Sequence, residues 1–202
     1  MLRPILETWE SGRLFIRCHN VRFGATEFNP GLGLAGRFNP FSDRKGREVP
    51  TLYAADSLEG AVSETIFHNV PVRGPDKAIA KFSLQPMVVS TLACDRDLTL
   101  VQLYGFGLSR LEVSRAELIE TGSYEYWRTA AWARAIHASD DRVDGLIWIS
   151  RQYDVSRALV LFGDRVARAA LKVAAAPQPL YFSPGYAEIQ RVAGLAGITI
   201  IE

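Results

Sequence analysis

Residues 51–64 read TLYAADSLEGAVSE. Thr51 to Ala55 is short, mostly apolar and stopped by Asp56, which suits a strand. Asp56 or Ser57 then offers a side-chain oxygen to an orphan amide at a helix start. Leu58, Ala61, Val62, Thr65 and Ile66 recur at helical spacing, and the pattern predicts a helix over 57–69. Glu64 falls off that apolar stripe. One turn before it on the same side is Gly60, and close after it is Phe67. Glycine costs about 1 kcal/mol in a helix interior, so a side carrying Gly60, Glu64 and Phe67 suits close approach by a second wall of protein. A solvent-facing glutamate is the plainer alternative. Tyr53, mid-strand just upstream, reads either as a core tyrosine or as part of the same site.

Upstream, Arg13 to Cys18 reads as a short strand around Leu14, Phe15 and Ile16. Residues 23–50 hold Gly24, Pro30, Gly31, Gly33, Gly36, Pro40, Gly46 and Pro50, which break any regular element. A loop this long inside a compact chain is uncommon and usually functional. Phe38 and Phe41 within it argue for docking onto the body of the protein. GLGLAG (31–36) matches the dinucleotide fingerprint GxGxxG, but that motif must follow a strand and open a helix. Here Asn29-Pro30 precedes it and Pro40 follows, so a glycine-rich lid is the better reading. Arg37 in this loop is placed to grip a phosphate or carboxylate with two prongs, or else is a surface arginine.

Downstream, Ala78–Leu84 and Met87–Leu92 read as strands, Ser114–Thr121 as a short helix, and Ser123 as the cap of a longer one, YEYWRTAAWARAIHAS (124–139). On that helix Trp127, Ala130, Ala131, Ala135 and Ala138 form the expected apolar side. DGLIWIS (144–150) and RALVLFG (157–163) are strands of the fully buried kind. A further strand, a proline-bearing stretch, a helix from Ala187 and a last strand, GITII, complete the chain. This order is no strict βαβα alternation, so the expected class is α+β, with mixed or antiparallel sheets and flanking helices.

Composition narrows the function. The 202 residues are 48% hydrophobic and 22% charged, which is ordinary for one globular domain. Lys plus Arg is 23 and Asp plus Glu is 22, so no whole-surface attraction to nucleic acid or an anionic membrane is expected. The two cysteines, Cys18 and Cys94, make no CxxC pair, and His19, His68 and His137 are scattered, so no metal site is expected. Ser150 has no GxSxG setting for a serine hydrolase. No secretory leader or membrane-length apolar run is visible, so a reducing cytoplasm is the expected compartment.

Taken together, GRFN (36–39), TLYAADSLEGAVSE (51–64), DGLIWIS (144–150) and ALVLF (158–162) resemble the RES domain family in order and approximate spacing. The resemblance covers residues 14–163 of a single domain, with 164–202 as a C-terminal extension packed on it. It implies a fold similar to diphtheria-toxin-type ADP-ribosyltransferases. It also implies the toxin of a bacterial toxin–antitoxin module that degrades NAD, with water or phosphate as acceptor. An ADP-ribosyltransferase acting on protein and a non-catalytic binding module are the alternatives. Arg37, Tyr53, Glu64 and Ser150 carry over as catalytic residues. Arg17, Arg37, Phe38, Asn39 and Tyr53 are expected to bind NAD, which is substrate rather than cofactor. The implied partner is an Xre-like helix-turn-helix antitoxin; self-association is left open, and direct nucleic-acid or membrane binding is not expected.

Overall fold

The computed structural model describes residues 3–74 and 76–202. One eight-stranded sheet dominates it, formed by β1 (Leu6–Trp9), β2 (Phe15–Asn20), β3 (Thr51–Ala55), β5 (Met87–Cys94), β6 (Leu98–Gln102), β7 (Gly145–Ile149), β8 (Arg157–Phe162) and β9 (Leu171–Pro179). Its order is β1-β6-β7-β8-β3-β2-β5-β9. Only β6 and β7 run parallel; every other neighbouring pair is antiparallel. A separate parallel pair joins β4 (Ala78–Ala80) to β10 (Thr199–Ile201). The helices are α1 (Leu58–Ser63), α2 (Phe106–Arg110), α3 (Arg115–Leu118), α4 (Tyr126–Ser139) and α5 (Gly185–Ala196). The class is α+β, as the element order predicts.

Alternation along the central strands sorts the core into layers. Leu146, Trp148, Ala158, Val160 and Phe162 face one cluster with Ala133 and Ile136 of α4. Ile147, Leu159, Leu161, Leu52 and Ala54 face the opposite side, where Trp9, Phe15, Leu92 and Leu98 close a second cluster inside the curl of the sheet. A third cluster packs Ala61 and Val62 of α1 and Ile189 and Val192 of α5 on Cys18 and Ala55. Both faces of β7 and β8 are thus buried, which explains their unbroken apolar runs. The long loop is docked, as its phenylalanines predict: Phe38, Phe41 and Val49 all join the α4 cluster. Between β2 and β3 the sheet holds together through a single residue pair, Ile16–Ala55. The α4 layer and the α1 layer meet at that seam.

Several elements differ from the sequence reading. The first helix ends at Ser63, not Asn69, and Ser57 is its cap, accepting from Gly60 N. Beyond it, the carbonyls of Phe67 and His68 meet side-chain donors from Arg151 and Gln152. Those donors stand in for amides of a longer helix. Only Ala78–Ala80 of the expected 78–84 strand is extended; Lys81–Leu84 is a 3₁₀ turn. Ser123 opens a 3₁₀ turn rather than capping α4. On α4 the buried face runs through Tyr126, Thr129, Ala130, Ala133 and Ile136; of the expected side Ala130 is buried, while Trp127 is 74% exposed. An alanine-rich helix has little contrast between faces, so spacing alone places the buried side only in part. No helix among the described residues is long and apolar enough to cross a membrane.

Gly145 supports this packing directly. A Cβ there would strike the Val160 carbonyl oxygen, and the backbone of β8 cannot yield. Gly145→Ala is expected to destabilise the fold by about 1–3 kcal/mol. Gly194→Ala, in open space on α5, should stabilise it by about 0.5–1 kcal/mol. Urea denaturation of the two variants checks both signs.

Candidate active site

Glu64 is the C-cap of α1. Its Oε1 accepts from Ser150 Oγ at 2.6 Å and from the Arg151 backbone N–H at 3.0 Å. Ser150 is fully buried at the end of β7. The site therefore joins a helix end to a strand end 86 positions away. The side bearing Gly60 does meet a second wall: a Cβ on Gly60 would collide with Ser156 Oγ. Ser156 is held in turn by Asp56 Oδ1 at 2.6 Å and Ser57 Oγ at 2.8 Å. The solvent-facing alternative for Glu64 is thereby excluded. Among the described residues its Oε2 accepts no hydrogen bond.

Arg37 is buried, not a surface arginine. Its Nη1 donates to Thr121 Oγ1 at 2.9 Å and Thr121 O at 3.3 Å. Its Cζ lies 5.3 Å from the centre of the Tyr126 ring, and Thr129 Oγ1 donates to its backbone carbonyl. Nε and Nη2 are buried with no partner among the described residues. Those two nitrogens form one flat edge of the guanidinium, the geometry that grips two oxygens at once. Burial pulls the guanidinium's proton affinity below its ordinary value. Tyr126 and Glu64 oppose that fall, and Arg151 adds to it. A buried cation without a carboxylate against it favours an anionic visitor.

Tyr53 shapes the loop. Its hydroxyl accepts from Phe38 N at 2.8 Å and donates to Asn39 Oδ1 at 2.9 Å. Burial pushes its pKa well above the usual phenol value, so it stays neutral. Its ring stands edge-on to Trp148, 6.1 Å between centroids. Phe38 is wholly buried against the same tryptophan at 5.1 Å. Phe38, which the resemblance leads one to expect at the NAD site, is a core anchor in this structure. Asn39 is buried and holds Tyr53.

Arg17 stands apart from this cluster. Its Nη1 donates to the carbonyls of Gly24, Ala25 and Glu27 at 2.7–3.2 Å, clamping the loop after β2. Burial lowers its pKa to about 10, against the pull of Glu27. The structure brings together Arg37, Tyr53, Glu64 and Ser150 and leaves Arg17 outside.

Residues that spacing did not flag complete the site. His68 Nε2 lies 2.5 Å from Tyr126 Oη, closing a bridge between the α1 and α4 layers. Burial lowers the His68 pKa, Glu64 raises it, and Arg37 and Arg151 lower it. Arg115 donates to the carbonyls of Ile149 and Ser150 and pairs with Glu120 at 2.9 Å. It fixes the end of β7. Next to the site lie two cavities of about 600 Å³ that share Val70, Pro71, Val72, Glu120, Arg151 and Gln152 in their walls. His68 and Tyr126 line one of them. Among the described residues no cluster of His, Cys, Asp or Glu could hold a metal ion.

A sheet opened at one seam, with a fixed carboxylate and a free guanidinium edge beside it, defines an α+β protein compatible with the ADP-ribosyltransferase-like fold. The chain belongs to the RES domain family, whose model matches residues 14–183. The match runs past Gly163 and takes in all of β9. A chain of the M. tuberculosis MbcT-MbcA toxin-antitoxin complex has a similar fold: TM-score 0.59, 16% identity, 86% of this chain and 89% of that one covered. No curated protein sequence matches significantly.

Tyr53→Phe tests the loop geometry. It removes the hydroxyl that joins Phe38 N to Asn39 and strands a buried amide. A loss of about 1–3 kcal/mol is expected in chemical denaturation. An unchanged midpoint would show that the loop holds without it.

Proposed function

We propose that the protein cleaves the nicotinamide–ribose bond of NAD as the toxin of a toxin–antitoxin module. The observation that carries this reading is Glu64: Oε1 is pinned by Ser150 and Arg151, and Oε2 is left free. When the glycosidic bond breaks, its electron pair goes to the pyridinium nitrogen and nicotinamide leaves neutral. Positive charge then develops on the ribose as an oxocarbenium ion. A fixed carboxylate beside the sugar stabilises that charge without reorganising, and it can accept from the 2′-hydroxyl. Water then bonds to C1′ through oxygen, and its proton passes to Glu64 or solvent. Phosphate or a protein side chain can take the place of water.

Arg37 fits the pyrophosphate through its free Nε–Nη2 edge, because Thr121 already holds the third nitrogen. Ser150 serves Glu64 rather than the substrate: its hydroxyl hydrogen is spent on the carboxylate. Tyr53 acts through the loop it holds. Membership of the RES family and the fold shared with a toxin–antitoxin complex support the toxin reading. The Xre-like antitoxin belongs to this proposal. Exposed Leu34, Tyr124 and Trp127 near the site suit a covering protein.

Incubation of pure protein with NAD, with and without phosphate, tests the reaction, and the products identify the acceptor. NAD should be consumed and free nicotinamide released. Glu64→Gln should keep the fold by circular dichroism and lose turnover by 100-fold or more, on the order seen when an electrostatic stabiliser is removed. Wild-type turnover in that variant would remove Glu64 from the chemistry. Arg37→Lys keeps the charge but not the flat edge, so KM for NAD should rise more than kcat falls.

A further inference from the structure

We propose that Arg151 is a second anion ligand, so that a diphosphate is held between two guanidinium groups, Arg37 and Arg151. This rests on the NAD reading and deepens it. The side chain of Arg151 makes one hydrogen bond, Nη2 to the His68 carbonyl at 2.8 Å. Among the described residues its Nε and Nη1 take no partner, and the side chain lines both cavities beside the site. Arg115 is the contrast: all three of its nitrogens are occupied by Glu120, Ile149 O and Ser150 O. Arg115 is a brace, whereas Arg151 has donors to spare.

The charge count around the cleft points the same way. Glu120 lines both cavities but is paired with Arg115. Lys77 and Asp154, of opposite charge, both line one of the two cavities. Glu64 is a single carboxylate whose Oε1 already accepts two hydrogen bonds. Arg37 and Arg151 thus leave an excess of one positive charge over Glu64, with free donors on both. One phosphate oxygen pair satisfies the buried Arg37 edge. A second phosphate, one bridging oxygen away, is left for the half-buried Arg151, which lines both cavities and is near enough to Arg37 to act on its charge. A nucleoside monophosphate or a riboside cannot occupy both positions.

Calorimetry with inorganic pyrophosphate and with nicotinamide riboside, on wild type and Arg151→Gln, tests this. The variant keeps the backbone N–H that holds Glu64 and loses only the guanidinium. Pyrophosphate binding should weaken about 10-fold or more, with riboside binding within about 2-fold of wild type. In turnover, KM for NAD should rise by a similar factor with kcat little changed. Arg142→Gln, at an exposed arginine paired with Asp140, controls for net charge and should leave pyrophosphate affinity unchanged. Equal pyrophosphate affinity in wild type and Arg151→Gln overturns the proposal, as does an equal loss of riboside binding, which would mark Arg151 as a structural clasp. If wild type binds pyrophosphate through Arg151 but consumes no NAD, the two-guanidinium site stands and the NAD reading falls. If wild type consumes NAD and Arg151→Gln has an unchanged KM, the reaction stands and the second ligand falls.

Discussion

Ser150 donates to Glu64 across 86 positions of chain, and the site depends on that bond. A carboxylate at a helix C-terminus is in an unfavourable place, because the partial negative charge of the helix end repels it. Here that repulsion is offset by a buried hydroxyl and a backbone amide, both supplied by the end of β7. The strand end is itself braced by Arg115 on the carbonyls of Ile149 and Ser150. α1 stops at Ser63, and residues 151 and 152 satisfy carbonyls further along the chain. A longer helix would carry Thr65 to His68 onward on helical geometry and lose the His68 bridge to Tyr126.

Much of the fold was legible in the chain because its central strands alternate cleanly or are apolar throughout. β3, β7 and β8 could be read from composition within a residue or so of their ends. Glu64 was legible for a different reason. Gly60 sits where an exposed helix face has no use for glycine, and the structure shows why: Ser156 fills the space a Cβ would take. β1 and β6 were missed because four or five residues of mixed polarity carry little periodic signal. Tyr126, His68 and Thr121 were missed because each acts through tertiary contacts only. Their residue types are common in helices and loops, and no local pattern separates an aromatic beneath a buried guanidinium from one in an ordinary core. Phe38 was legible as an anchor, because a phenylalanine in a glycine-rich loop has to bury its ring somewhere, and it packs into the α4 cluster.

Arg37 sets the electrostatic character of the cleft. Most buried arginines lie against a carboxylate, which repays part of the desolvation cost. This one rests on Thr121 and the Tyr126 ring and leaves a flat edge unmatched. The unmatched edge carries a desolvation cost that no partner among the described residues repays. The glycine-rich loop follows the same logic. Gly31 and Gly33 adopt positive φ values of 98° and 89°, which other residues resist, and Leu34 is left 97% exposed at the tip.

The loop is held rigidly at one end only. From Arg37 onward it is locked by Thr129, Tyr53 and the packing of Phe38 and Phe41 into the α4 cluster. From Gly31 to Ala35 its side chains add no such anchors to the core. The rigid half fixes the direction of the Arg37 donors, and hydrogen bonds weaken steeply when donors are misaligned. The tip carries no charged donor and lies exposed. Tyr53 acts at the boundary between the two halves: its hydroxyl ties down Phe38 and Asn39 just after the arginine, and the exposed tip lies just before it.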